Sequence, residues 1–173
     1  SLVLVGECAF YGMENLETVT FNGGALNDLE VGNKIYVNNG LVHFVVEEIK
    51  GHDIICKVTA GGELSNRKSM SFPNNVLKQT YLSEYDKSDI LFGIEHGVDF
   101  IACSFVSRRR DLTDIRDFLT SQGVKVPDLI AKIENRAGVD NIDEICEVAD
   151  GIMVARGDLG VEIPYVEVPA IQK

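Results

Sequence analysis

Three short apolar runs in the second half of the chain constrain its fold most: DFIACSFV (99–106), LIAKIE (129–134) and GIMVA (151–155). DFIACSFV is apolar without alternation, the sign of a strand buried on both faces, and GIMVA reads as another buried strand. A helical pattern precedes each run. The first helix starts at Ser83, where Asp86 three residues on makes a near capping box. Ile90, Leu91, Ile94 and Val98 follow at helical spacing, and Gly97 ends it. A second helix spans Asp111 to Leu119, with Leu112, Ile115, Phe118 and Leu119 inward. A third runs from about Val139 to Val148. The order α-β-α-β-α-β predicts an α/β fold with a parallel sheet and right-handed crossovers. Repeated βα units fit an open sheet or part of a (β/α)8 barrel; a closed barrel takes eight strands and about 250 residues.

Ser1 to Phe72 reads differently, as an all-β segment. LVLVG, ETVTFN, KIYVNNG, LVHFVVEEIK and DIICKVTAGG are β-rich and separated by Gly/Asn turn signals. Asn39-Gly40 predicts a hairpin, and Val42, Phe44 and Val46 alternate with His43, Val45 and Glu47. Small barrels and sandwiches have this pattern. His43 and His52 read as exposed or turn histidines. Ser65 to Thr80 has little periodicity and reads as a connector, with Pro73-Asn74-Asn75 marking a boundary and Lys68 inside it.

The chemistry concentrates at the ends of the last two runs. Strand alternation places Ile130, Lys132 and Glu134 on one face. A charge buried without a partner costs several kcal/mol, so Lys132 and Glu134 on an apolar strand need a reason. One reading is a structural Lys–Glu ion pair. The other is a lysine aimed at an anion and a carboxylate aimed at a metal, at the C-terminal strand ends where parallel α/β folds bind ligands. Arg156, Gly157 and Asp158 close the next strand. Gly157 permits a turn or close approach, and the local N–H groups can form an anion nest. Glu134 and Asp158 together suit Mg²⁺, which takes one or two carboxylates and fills its octahedron with water and substrate oxygens. The structural alternative makes Asp158 a cap for the turn before Leu159.

With 45% hydrophobic residues the chain can bury a real core, in one domain or two small ones. A net charge of −11 argues against nucleic acid and anionic membranes as partners. Arg108–Arg109–Arg110 is the only basic run and reads as a solvated loop, or as a site for one phosphate, rather than a nucleic-acid footprint. Cys8, Cys56, Cys103 and Cys146 show no CxxC spacing. The last three lie in apolar runs and read as small buried hydrophobes, which fits a reducing compartment. SLVLVGECAF is too short and poorly flanked for a signal peptide or membrane span. The chain does not begin with Met, as a fragment of a longer protein would not.

IAKIENRAGVDNIDEI resembles the pyruvate kinase signature, and GIMVARGDLGVEIP resembles that family's next barrel strand almost letter for letter. SEYDKSDILFGIEHGVDFIACSFV resembles the preceding helix and strand, and VGNKIYVNNGLV with GGELSNRK resembles the family's lid. The resemblance covers essentially the whole chain and implies an internal fragment of pyruvate kinase. Residues 1–72 would be the small β-barrel lid domain, and 73–173 a partial (β/α)8 TIM barrel from helix three to the start of helix six. The implied reaction is glycolytic: a phosphoryl group passes from phosphoenolpyruvate to ADP, giving pyruvate and ATP. The resemblance implies that Lys132 stabilises the transferring phosphoryl and the enolate. Glu134 and Asp158 would hold Mg²⁺ (or Mn²⁺), and the Gly157 and Asp158 amides would grip the substrate carboxylate. Lys68 would contact the nucleotide. It further implies K⁺, a cytoplasmic location and a homotetramer.

Departures from the family pattern are Asn38-Asn39 in place of two aspartates, Ser69 in place of Gly, Met70-Ser71-Phe72 for a Val-Asn-Leu type run, and Ser107 for a basic residue, with Arg108 beside it. The family's K⁺ and other substrate residues lie on barrel strands that this sequence does not contain. Two alternatives stand beside the kinase. A carbon–carbon lyase of the phosphoenolpyruvate/pyruvate barrel type would also use Mg²⁺ carboxylates, but the lid and the KIEN motif argue against it. The isolated chain is otherwise a catalytically inactive lid-plus-sheet binding or structural module.

Overall fold

The computed structural model describes residues 17–22, 28–65, 68–75, 78 and 80–173. It divides into two compact units, 1–79 and 80–173. The expected strand LVLVG and Cys8 lie outside the described residues.

The described residues of the first unit form one antiparallel sheet of five strands: β1 (Thr18–Asn22), β2 (Lys34–Val37), β3 (Val42–Lys50), β4 (Asp53–Ala60) and β5 (Met70–Ser71), in the order β1-β4-β3-β2-β5. Among the described residues it does not close into a barrel. The period-two pattern settles which face packs. Ile35, Val37, Val42, Phe44, Val46, Ile54 and Cys56 are all buried, and Phe21 meets Phe44 edge-on at 5.3 Å. The β2–β3 hairpin forms where Asn39-Gly40 predicted it. Its reversal uses left-handed backbone at Asn38, Asn39 and Gly40 (φ 57°, 54° and 76°), a region that Asn and Gly tolerate best.

The expected connector contains a strand. β5 pairs with β2, Ser71 opposite Tyr36 and Met70 opposite Val37. Two residues carry no periodicity, so no pattern could reveal it. The same contact gathers the departures from the family lid pattern. Asn38 N–H donates to the Ser69 carbonyl at 3.0 Å, and the Ser69 hydroxyl donates to Asn39 Oδ1 at 2.8 Å. His52 lies in an exposed turn. His43 is half-buried, stacked on Tyr36 at 4.2 Å with Nε2 2.8 Å from the Gly40 carbonyl oxygen.

The second unit is α/β. Its elements are α1 (Glu84–Glu95), β6 (Phe100–Cys103), α2 (Arg109–Ser121), β7 (Asp128–Ile133), α3 (Arg136–Asp140), α4 (Ile142–Cys146), β8 (Gly151–Val154), α5 (Arg156–Glu162), a 3-10 turn (Tyr165–Glu167) and α6 (Val168–Gln172). The three strands are parallel with β7 in the middle. Leu129, Ala131 and Ile133 face a core completed by Leu112, Ile115, Leu119 and Ile145 from α2 and α4. Ser83 caps α1 with the full reciprocal box to Asp86.

Several expectations change. β6 and β8 are not buried on both faces: Phe100 is 62% and Met153 44% exposed. The helices cover one side of this sheet, and the other side has no cover among the described residues. The third helix starts earlier and is broken. Asn135 caps α3 by accepting from Gly138 N–H at 2.7 Å, and Asn141 interrupts it while donating from Nδ2 to the Ser107 carbonyl at 2.8 Å. The arginine run is the start of α2 rather than a loop. Arg108 pairs with Asp111, Arg110 with Asp114 and Arg109 with Glu147. These acids offset the cost of cations at a helix N-terminus. Asp111 is 3% exposed and accepts from Ser107 and Arg108 N–H at 2.8 and 3.2 Å. Cys56 and Cys103 are buried as expected, and burial pushes both thiols up to about 11; Cys146 is exposed.

Asp150 fastens the sheet to α2. Its Oδ2 accepts from Leu129 N–H at 2.8 Å and from Arg116 Nη2 at 2.5 Å, and these partners, the amide first, hold its carboxyl below the usual value against a weaker opposing effect of burial. A depressed carboxyl stabilises the fold above its unfolded pKa and loses that contribution as pH falls through the folded one. Asp150→Asn is therefore expected to lower stability near neutral pH and to flatten the acid limb of a urea-unfolding series. Thiol titration of the native protein should label Cys146 rapidly, with Cys56 and Cys103 reacting only on unfolding.

Candidate active site

The site begins with the exit of β7. Alternation sends Leu129, Ala131 and Ile133 into the helical core, so Ile130 and Lys132 point to the other face. Glu134, one residue past the strand, is nevertheless fully buried. The expected juxtaposition exists: Lys132 Nζ lies 2.6 Å from Glu134 Oε1. Lys132 Nζ also donates to Ser104 Oγ at 2.8 Å, and Phe105 N–H donates to Glu134 Oε2 at 2.7 Å. Ser104 and Phe105 leave the neighbouring strand β6, so parallel pairing of β6 and β7 assembles this corner.

The two oxygens of Glu134 are not equivalent. Oε2 is held by a backbone amide. Oε1 makes no hydrogen bond, although the Lys132 ammonium is within ion-pair distance. The close approach supplies charge attraction but lacks hydrogen-bond geometry. The ammonium neutralises this oxygen, which remains a hard ligand with lone pairs in hand. The structural ion pair and a cation-ligand role are thus both compatible with the arrangement, and the absence of an aligned hydrogen bond at Oε1 fits the second.

β8 delivers the other half. Ile133 is paired with Val154 across the two strands, and Ala155 N–H donates to the Ile133 carbonyl at 3.3 Å, which aligns the two exits. Arg156, Gly157 and Asp158 do not close the strand as expected. They form the first turn of α5, ahead of its first internal bond, from Leu159 N–H to the Ala155 carbonyl at 2.9 Å. Gly157 is not in the left-handed region, so no turn requires glycine there; the space that a Cβ would occupy is empty. Amides in a first helical turn point outward and suit an anion. Asp158 is exposed and, among the described residues, carries neither a hydrogen bond nor an ion pair, so it caps nothing.

Glu134 and Asp158 therefore sit just beyond adjacent parallel strand ends. No group of three or more His, Cys, Asp and Glu able to hold a metal occurs among the described residues. A two-carboxylate set suits Mg²⁺ or Mn²⁺, whose remaining positions are filled by water and phosphate oxygens. Lys68 belongs to the other unit, where it is exposed and precedes Ser69, the residue bonded to the β2–β3 hairpin.

Ser104, Phe105 and Asn135 were not singled out by residue type. Ser104 is one hydroxyl within an apolar run. Asn135 donates to Ser107 Oγ at 2.9 Å while capping α3. Its place in the Lys-Ile-Glu-Asn string was the available signal. Tyr81 also reaches this corner, donating to the Ser104 carbonyl at 2.7 Å; its burial raises the phenol pKa.

The family model for the pyruvate kinase barrel domain matches residues 8–173. The chain is 48% identical over 146 residues to the pyruvate kinase of Clostridium perfringens, covering 84% of this chain and 31% of that one. It is 45% identical over 175 residues to the pyruvate kinase of Bacillus licheniformis, covering 100% of this chain and 30% of that one. With the pyruvate kinase of Geobacillus stearothermophilus it shares 48% identity over 150 residues, 86% of this chain and 26% of that one. The chain spans less than a third of the length of these curated relatives. On the match to the barrel-domain family and these identities, the chain belongs to the pyruvate kinase family.

Proposed function

We propose that this chain supplies the cation and phosphoryl half of a pyruvate kinase active site, which moves a phosphoryl group from phosphoenolpyruvate to ADP. The observation that carries the reading is the buried, hydrogen-bond-free Oε1 of Glu134 beside the Lys132 ammonium. Glu134 and Asp158 would hold Mg²⁺ or Mn²⁺. When bound, that ion neutralises charge on the phosphoryl and enolate oxygens.

The chain's own residues supply the rest. Lys132 presents a fixed positive charge to the phosphoryl oxygens and to the oxygen that becomes anionic when the phosphoryl leaves. Little reorganisation is needed, because the ammonium is already held by Ser104 and Glu134. The outward amides of Gly157 and Asp158 orient the substrate carboxylate. Phosphoryl transfer rests chiefly on such positioning and charge neutralisation. Lys68 contacts the nucleotide phosphates. K⁺ belongs to the family reaction, and no residue of this chain is assigned to it.

In this reading residues 1–72 are the lid and 73–173 part of a (β/α)8 barrel, in a cytoplasmic homotetrameric enzyme. No helix among the described residues is long and apolar enough to cross a membrane. A second reading applies to the 173 residues alone: a lid-plus-sheet module without turnover. The exposed Phe100 and Met153 on β6 and β8 favour it, because these strands lack cover on one face.

Manganese titration followed by electron paramagnetic resonance tests the cation site. Glu134→Gln should abolish tight Mn²⁺ binding while circular dichroism shows a folded chain. Unchanged affinity would remove Glu134 from the site. In the intact enzyme, Lys132→Met is expected to cut kcat by about a hundredfold or more, the scale seen when one charge-stabilising donor is removed, with Mn²⁺ affinity retained. A coupled assay of the 173-residue chain alone should show no pyruvate formation.

A further inference from the structure

The turn after β6 does more than reverse the chain. Phe105 adopts φ 54°, a left-handed conformation unusual for a bulky residue. Packing of its ring does not explain this, since Phe105 is 42% exposed. The turn is bonded instead to the segment that follows β7. Phe105 N–H holds Glu134 Oε2 at 2.7 Å, Asn135 Nδ2 donates to Ser107 Oγ at 2.9 Å, and Asn141 Nδ2 donates to the Ser107 carbonyl at 2.8 Å. Val106, the next residue, is fully buried in the core. The position of Ser104 at the head of this turn is therefore fixed from both sides.

Ser104 Oγ is the second partner of the Lys132 ammonium, at 2.8 Å, opposite Glu134 Oε1 at 2.6 Å. That matters for a cation. Lys132 and a divalent ion compete for the same carboxylate oxygen. An ammonium with only Glu134 to neutralise and solvate it would hold that oxygen. An ammonium with a second acceptor can stay in place when Oε1 turns to a metal.

We propose that Ser104 is a positioning residue that holds the Lys132 ammonium and so lets Glu134 Oε1 exchange that ammonium for a divalent cation. This rests on the assignment of Glu134 as a cation ligand. In this role Ser104 acts through Lys132.

The experiment is a Mn²⁺ titration of the purified protein and its Ser104→Ala, Ser104→Thr and Glu134→Gln variants, read by electron paramagnetic resonance at a temperature where circular dichroism shows all four folded. Ser104→Ala is expected to weaken Mn²⁺ binding about tenfold, which corresponds to about 1.4 kcal/mol. Ser104→Thr, which keeps the hydroxyl, should restore affinity to within about twofold, a difference of about 0.4 kcal/mol. A merely structural role for Ser104 would shift the melting temperature and leave the manganese affinity of the folded variant alone. If Glu134→Gln abolishes binding and Ser104→Ala does not weaken it, the role of Ser104 is overturned and the Glu134 site stands. If Glu134→Gln binds as well as the parent, the cation site itself is refuted, and with it the role of Ser104.

Discussion

A carboxylate with no exposure sits at the exit of the central strand, and the surrounding structure is arranged around that fact. Burying Glu134 removes it from water, a cost that only partners can offset. The partners come from the adjacent strand: an amide at Phe105, and a lysine steadied by Ser104. Parallel pairing of β6 and β7 is thus a requirement of the site, because it sets both strand exits at one height. β8 adds the first turn of α5 at the same level through the Ala155–Ile133 hydrogen bond. The fold and the chemistry share one constraint.

Much of this was legible in the sequence, for physical reasons that can be named. The hydrophobic period distinguishes helix from strand, so α2 and the alternation in β3 are legible; α1 has no fully buried residue, and its cap rather than its period marks it. Ser83 with Asp86 and Asn39-Gly40 carry local stereochemistry that needs no tertiary context. Lys132 and Glu134 stand out in the sequence because charge in an apolar strand demands a partner. What escaped depends on tertiary contact. β5 has two residues and exists only by pairing with β2. The break at Asn141 depends on Ser107, far away in sequence. The buried faces expected for β6 and β8 require a covering layer that the chain's described residues do not place there, so Phe100 and Met153 are exposed.

The glycine and aspartate after β8 stand in a helical turn rather than at the strand end. The backbone at Gly157 is ordinary, so no left-handed turn requires glycine there, while the open space beside it leaves room for a close approach. Asp158 was expected at a strand end and stands in a helical turn. Helix geometry, rather than a tight loop, presents the amides. In the first unit, the residues that depart from the family lid pattern bond to one another, Asn38 and Asn39 with Ser69. These bonds tie the hairpin to the residue just before β5.

The central claim is that Glu134 Oε1 is a cation ligand rather than half of a structural ion pair. Diffraction from crystals of the protein soaked in Mn²⁺, recorded for anomalous scattering, tests it directly. A peak is expected at roughly 2.2 Å from Glu134 Oε1, the metal–oxygen scale of small divalent ions, with Lys132 still bonded to Ser104. A Lys132–Glu134 pair left undisturbed, with manganese bound elsewhere or nowhere, would contradict it.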